Sequence, residues 1–180
     1  MMDALISLIK GVVIWVLEVV VGVGVGGSAL YLAISLFDKT TKNVEEWKEI
    51  KKGNVAVAIL MMGIIFSVVL IITPAIKHLL SGLFREEIMS SPAELATVFV
   101  INLINLVISL GIAILAVALS FRLVNIITTD IDEEVEIRKG NVAVALITAI
   151  VMYSVASFIS STVNQAIVLI NQEVINLLLG

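Results

Sequence analysis

The 180-residue chain has no cysteine, one histidine and two prolines. Without cysteine there is no disulfide, no thiol nucleophile and no thiolate metal ligand. With His78 alone, no histidine-based metal cluster or catalytic triad can be assembled within one chain. Charge is also scarce. Asp, Glu, Lys and Arg make up 14% of the residues and leave a net charge of −4. That balance argues against nucleic acid as a partner, because phosphate binding needs a dense basic face. The acidic residues Asp130, Asp132, Glu133, Glu134 and Glu136 lack the central glycine and spacing of a calcium loop and read as a solvated face. Neither a cofactor nor a metal is expected, and no catalytic residue stands out: within the apolar runs there is no usable pair of carboxylates and no nucleophile beside a base. A non-enzymatic protein is the expectation.

What the chain has in excess is apolar sequence. Hydrophobic residues account for 60% of it, and its mean hydropathy is +1.16. A soluble domain is about 45–50% apolar, so membrane lipid is the expected surrounding. Four runs are long enough to cross a bilayer, which takes roughly 20 helical residues: 12–36, 55–76, 95–119 and 142–163. They do not alternate polar and apolar residues as barrel strands do, and lipid offers open backbone groups no partners. The expected fold is therefore all-α and integral to the membrane, with four transmembrane helices. The first run does not read as a cleaved signal, being too long and lacking a small-residue cleavage site.

The basic residues set an orientation. Lys39, Lys42, Lys48, Lys51, Lys52, Arg122, Arg138 and Lys139 lie in the two segments that follow spans 1 and 3; only Lys10, Lys77 and Arg85 lie on the other side. Eight against three predicts that both charged segments face the cytoplasm and that both termini are external. The plasma (inner) membrane is the expected location.

The heptapeptide KGNVAVA occurs twice, at 52–58 and 139–145. Aligned at this offset of 87, residues 49–58 and 136–145 agree at nine of ten positions, the tenth pairing Lys51 with Arg138. Further out, Asp38 falls on Asn125, Glu46 on Glu133, Ser67 on Ser154 and Glu18 on Asn105. The chain divides into two transmembrane hairpin repeats, 1–87 and 88–180, which together form one membrane domain. Each repeat holds two spans, so both enter from the same side, a parallel arrangement with a pseudo-two-fold axis along the membrane normal. Short interfacial or cytoplasmic helices are expected at 45–52 and 132–139, with acids first and bases last along the helix dipole. Gly53 and Gly140 would end them in the left-handed conformation. Asn54 and Asn141 would cap the spans that follow. Lys52, Gly53, Asn54 and Lys139, Gly140, Asn141 thus form a repeated cytoplasmic elbow. It is either a structural corner alone or also a docking point for a cytoplasmic protein partner.

Other boundaries are less regular. Ser91, Pro92 and Glu94 read as a capping box launching span 3. Pro74 should end or kink span 2. Residues 77–89 read as an amphipathic interfacial helix. The tail 164–180 repeats Asn164 and Gln165 seven residues later as Asn171 and Gln172; it either lies on the membrane or extends span 4.

Inside the spans, Glu18 is the one acid deep in an apolar run. Steps of four from it reach Gly22 and Gly26, and the corresponding line on span 3 is Asn105, Ser109 and Ala113. Small residues allow close helix approach in lipid, so spans 1 and 3 are expected to pack through these stripes, with Glu18 facing Asn105 and Asn102 nearby. Two readings stand side by side: hydrogen-bonded packing, or a polar constriction of Glu18, Asn102 and Asn105 on an ion or proton path. The first leads to a self-associating homo-oligomer with a structural or adaptor role, the second to a small oligomeric ion channel or transporter.

The paired elbow carries a resemblance. Two copies of acid–Ile–base–Gly-Asn-x-Ala-x-Ala at the start of a span, with Gly63 and Thr73-Pro74-Ala75 following in the first unit, resemble the YjfL-like family of small inner-membrane proteins of unknown function. The resemblance covers both units and implies a four-span membrane protein with no known reaction.

Overall fold

The computed structural model describes residues 2–40, 46–83, 92–128 and 131–179. Every regular element among them is helical: α1 (Met2–Thr40), α2 (Glu46–Lys51), α3 (Val55–Leu83), α4 (Pro92–Ile127), α5 (Glu133–Arg138) and α6 (Val142–Leu179). The order long, six-residue, long occurs twice, once in each half. The four long helices are each long and apolar enough to cross a membrane. The protein is a multi-pass membrane protein built from a duplicated two-span unit.

The middle of the bundle is the α3–α6 pair, the second span of each half. α4 packs on both, while α1 leans mainly on α3. The reason lies in the sequence. Small residues sit where α3 meets its partner, which lets the two backbones come close in lipid. Gly63 lies against Ala149 so closely that an added Cβ would stand 2.8 Å from Ala149 Cα and Cβ. Ala56, Val57, Ile64, Ile71, Ile72 and Ala75 of α3 are buried, as are Ala145, Met152 and Ala156 of α6. The outward faces keep Phe66, Leu115, Phe158 and Leu177 exposed, as a lipid-bathed bundle does.

Pro74 does not end the second span. α3 runs through it to Leu83, so a separate interfacial helix starting at Lys77 does not form; residues 84–89 and Ser91 of the capping box lie outside the described residues. Proline cannot donate to the carbonyl four residues back, here that of Leu70. α6 supplies the missing donor, for Ser160 Oγ donates to Leu70 O at 2.7 Å. The helix continues because its partner repairs the gap. Ser160→Ala should therefore cost about 1–3 kcal/mol, the usual penalty of an orphaned buried acceptor. Pro74→Ala restores an N–H to the same carbonyl, so in a double-mutant cycle it should remove most of that cost, as read from denaturant unfolding in mixed micelles.

α4 is helical from Pro92, the first described residue after Leu83. α6 resolves the two alternatives for the tail: it is one helix of 38 residues, about 57 Å long, so residues 164–179 extend span 4.

Candidate functional site: a polar level in the bundle and a doubled elbow

The two elbows share one construction. α2 closes with Gly53 N donating to Ile50 O at 2.9 Å and Asn54 N to Glu49 O at 3.0 Å; α5 closes with Gly140 N on Ile137 O at 3.0 Å and Asn141 N on Glu136 O at 2.9 Å. Gly53 and Gly140 have φ of 87° and 89°, a region open to glycine and strained for other residues. Each asparagine then accepts from the first turn of its span, Asn54 Oδ1 from Val57 N at 3.2 Å and Asn141 Oδ1 from Val144 N at 3.3 Å. The lysines are held by acids one turn earlier, Lys52 on Glu49 and Lys139 on Glu136.

The amide donors break the symmetry. Asn54 Nδ2 crosses to the other half and donates to Arg138 O at 2.9 Å and Ile137 O at 3.3 Å. Asn141 Nδ2 stays home and donates to Glu136 Oε2 at 3.0 Å. The crossing bonds place both elbows at the same end of the bundle. They reach the last carbonyls of α5, where intrahelical donors run out; Ile137 O also accepts from Gly140 N.

These bonds change the acids. The Asn141 hydrogen bond, followed by the hydrogen bond and charge of Lys139, holds the Glu136 carboxyl below its ordinary value; Lys52 does the same for Glu49. A carboxyl whose folded pKa is depressed contributes stability that is present above its unfolded pKa and lost as pH falls through the folded value. Wild type and Glu136→Gln should therefore differ in stability at neutral pH and converge below the ordinary carboxylate range. Thermal unfolding followed across that range checks it.

Within the bundle, α4 turns a polar face inward. Asn102, Asn105, Ser109 and Ser120 are all buried. The serines donate to their own helix, Ser109 Oγ to Asn105 O and Ser120 Oγ to Ala116 O. Asn102 Nδ2 donates to Val98 O at 2.9 Å, and its Oδ1 accepts from Asn171 Nδ2 of α6 at 3.1 Å. Asn105 Nδ2 is buried with no partner. Glu18 is half-buried on α1, and among the described residues no hydrogen bond joins it to Asn102 or Asn105.

The glycines of the first stripe lie beside α3. Gly22 and Gly26 of α1 face Leu80 and Ile76 of α3, where added Cβ atoms would lie 3.2 and 3.5 Å from the Leu80 and Ile76 Cδ1 atoms. Ser109 and Ala113 of α4 are buried, and α4 packs chiefly on α3 and α6. Asn171 of α6, rather than Glu18, is the partner of Asn102. Its signal was the seven-residue recurrence Asn164–Asn171, which places both residues on one face of a helix two turns apart.

Residues 7–109 and 95–179 both match the family described as Domain of Unknown Function (DUF350). The chain belongs to this family. The double match fits an uncharacterised family built on a duplicated unit, as the elbow resemblance implied. No curated protein and no solved structure shows a significant match. Family membership therefore assigns no reaction to the DUF350 elbows or to the polar face of α4. Among the described residues no group of three or more His, Asp or Glu side chains is placed to hold a metal ion.

Proposed function

We propose that the protein is a non-enzymatic, self-associating component of the plasma (inner) membrane with a structural or adaptor role. The carrying observation is α1. Only 6% of its span is buried in the single chain, against 56% of the α3 span, and it bears Glu18 in mid-run. An acid facing lipid costs a few kcal/mol even on lenient scales, and a second copy of the chain laid against α1 would shield it. Gly24 and Gly27 support this reading, since an added Cβ at either meets nothing within 4 Å, leaving room for close approach by a neighbouring helix. The excess of Lys and Arg near the elbows favours a cytoplasmic elbow end with external termini. Exposed Lys52 and Lys139 would then be available to a cytoplasmic protein partner.

Crosslinking in native membranes tests the association. Dimers or larger species should appear and weaken in Gly24→Leu and Gly27→Leu. Monomers alone in the wild type overturn the proposal.

A second reading has its own support in the unpartnered, buried Asn105 amide beside buried Asn102. Such groups suit a small oligomeric ion channel or transporter with its constriction at Glu18, Asn102 and Asn105. Flux through liposomes containing purified protein, abolished by Glu18→Ala, is the expected result of that reading. Liposomes no leakier than protein-free controls across pH and common cations overturn it.

A further inference from the structure

At the end of the bundle opposite the elbows, the last turns of α3, the first turns of α4 and the outer part of α6 enclose a cleft of about 140 Å³. His78, Ser81, Asn102, Asn171 and Gln172 line it, with Val98 and Val168 beside them. That volume has room for several waters, each needing roughly 10–15 Å³. Ser81 and Gln172 are exposed, whereas Asn102 is buried, so the polar lining runs from the rim into the bundle.

The hydrogen bonds among the described residues leave this lining unsaturated. Asn102 and Asn171 share one bond, and His78 Nε2 stands 3.4 Å from Asn164 Oδ1. Each of the two linked carboxamides retains further donor and acceptor capacity. One helical turn beyond Asn102, on the same buried face of α4, Asn105 Nδ2 has no hydrogen-bond partner among the described residues. A buried amide left unmatched costs several kcal/mol in apolar surroundings, and water that bridges polar groups removes much of that cost. Among the described residues that line it there is no carboxylate, lysine or arginine. A charged ligand would lose its hydration there without a counter-charge, so the site suits water and small uncharged hydrogen-bonding solutes.

We propose that this cleft is an aqueous vestibule that hydrates the inward face of α4 as far as Asn105. It is a property of the single chain and does not depend on whether copies associate.

The natural absence of cysteine makes the test direct. A single cysteine is introduced in turn at Ser81, Asn171, Asn105, Ala113 and Leu103, and each variant, reconstituted in lipid, is treated with 2-hydroxyethyl methanethiosulfonate. Only a thiolate reacts, and thiolate forms where water is present. Ala113 is buried in the apolar core and Leu103 is exposed on the outer face of α4, so these two report dry interior and lipid. Ser81→Cys and Asn171→Cys should react rapidly, and Asn105→Cys at least tenfold faster than Ala113→Cys or Leu103→Cys. Filling the cleft with Val168→Phe, which keeps the helix apolar there, should slow Asn105→Cys about fivefold or more. Asn171→Cys or Asn105→Cys reacting no faster than the two controls overturns the proposal. So does an Asn105→Cys rate that Val168→Phe leaves unchanged.

Discussion

Gly63→Leu should yield no folded, monodisperse protein in detergent, and Gly63→Ala should fold with a stability loss of about 1–2 kcal/mol. Two effects oppose each other at this position. Alanine in place of glycine favours a helix by roughly 0.5–1 kcal/mol. Against that, the new Cβ would stand 2.8 Å from Ala149 Cα and Cβ and 3.5 Å from its carbonyl oxygen. Ala149 Cα is backbone of the central helix α6, so the contact cannot be relieved by turning a side chain. Overpacking of this sort typically costs about 1–3 kcal/mol, which exceeds the helix gain. A leucine would force α3 and α6 apart and expose the buried faces around Ile64, Val68 and Met152. Gly111→Ala is the control, because a Cβ at Gly111 meets nothing within 4 Å; it should be neutral or slightly stabilising. Unfolding by SDS in mixed micelles, followed by far-UV circular dichroism, gives the three values. A Gly63→Ala protein as stable as Gly111→Ala would mean that α3 and α6 do not meet there.

The contrast between Gly63 and Gly22 shows which parts of this fold a sequence reveals. The spans, the elbows and the parallel repeat are written in local terms: runs of apolar residues, a glycine that must take positive φ, an asparagine one step later, the same ten positions twice. Each of these needs only its neighbours along the chain. Choosing which helix faces which is a different problem in lipid, where burial of apolar surface does not rank the partners. Gly22 and Gly26 announce a close approach without naming the helix that approaches, and α3 rather than α4 is the one beside them. Gly63 makes a close approach to Ala149 at the bundle's centre and is followed four residues on by small Ser67, but that pair does not name the helix that approaches either. The Asn102–Asn171 bond was half legible: the period of seven on α6 marked a polar face, and nothing local said that α4 would meet it. The Ser160–Leu70 bond was legible only in its cause, since Pro74 tells which carbonyl lacks a donor but not which side chain supplies one.

Asn54→Ala should destabilise the protein by about 2–3 kcal/mol and Asn141→Ala by about 1 kcal/mol, although the two residues occupy equivalent places in the repeat. Both substitutions remove an N-cap, worth roughly 1 kcal/mol. Only Asn54 also donates across the halves, to Arg138 O and Ile137 O, and each such bond adds about 0.5–1.5 kcal/mol net. Ile137 O keeps its bond from Gly140 N when the amide is gone, so most of the loss falls on the shorter bond to Arg138 O. The bond that Asn141 makes instead, to Glu136, lies within its own half; when it is lost the carboxylate still has Lys139 and water, so it contributes less. Asn54→Asp separates the two roles. The carboxylate still accepts from Val57 N and keeps the cap, yet it has no donor for the α5 carbonyls and sets a negative charge beside the negative end of that helix. It should therefore retain the helix content of α3 while losing at least as much stability as Asn54→Ala loses through the crossing bonds. Equal losses at Asn54 and Asn141 would show that the elbows act separately and that the halves are joined by the α3–α6 contact alone.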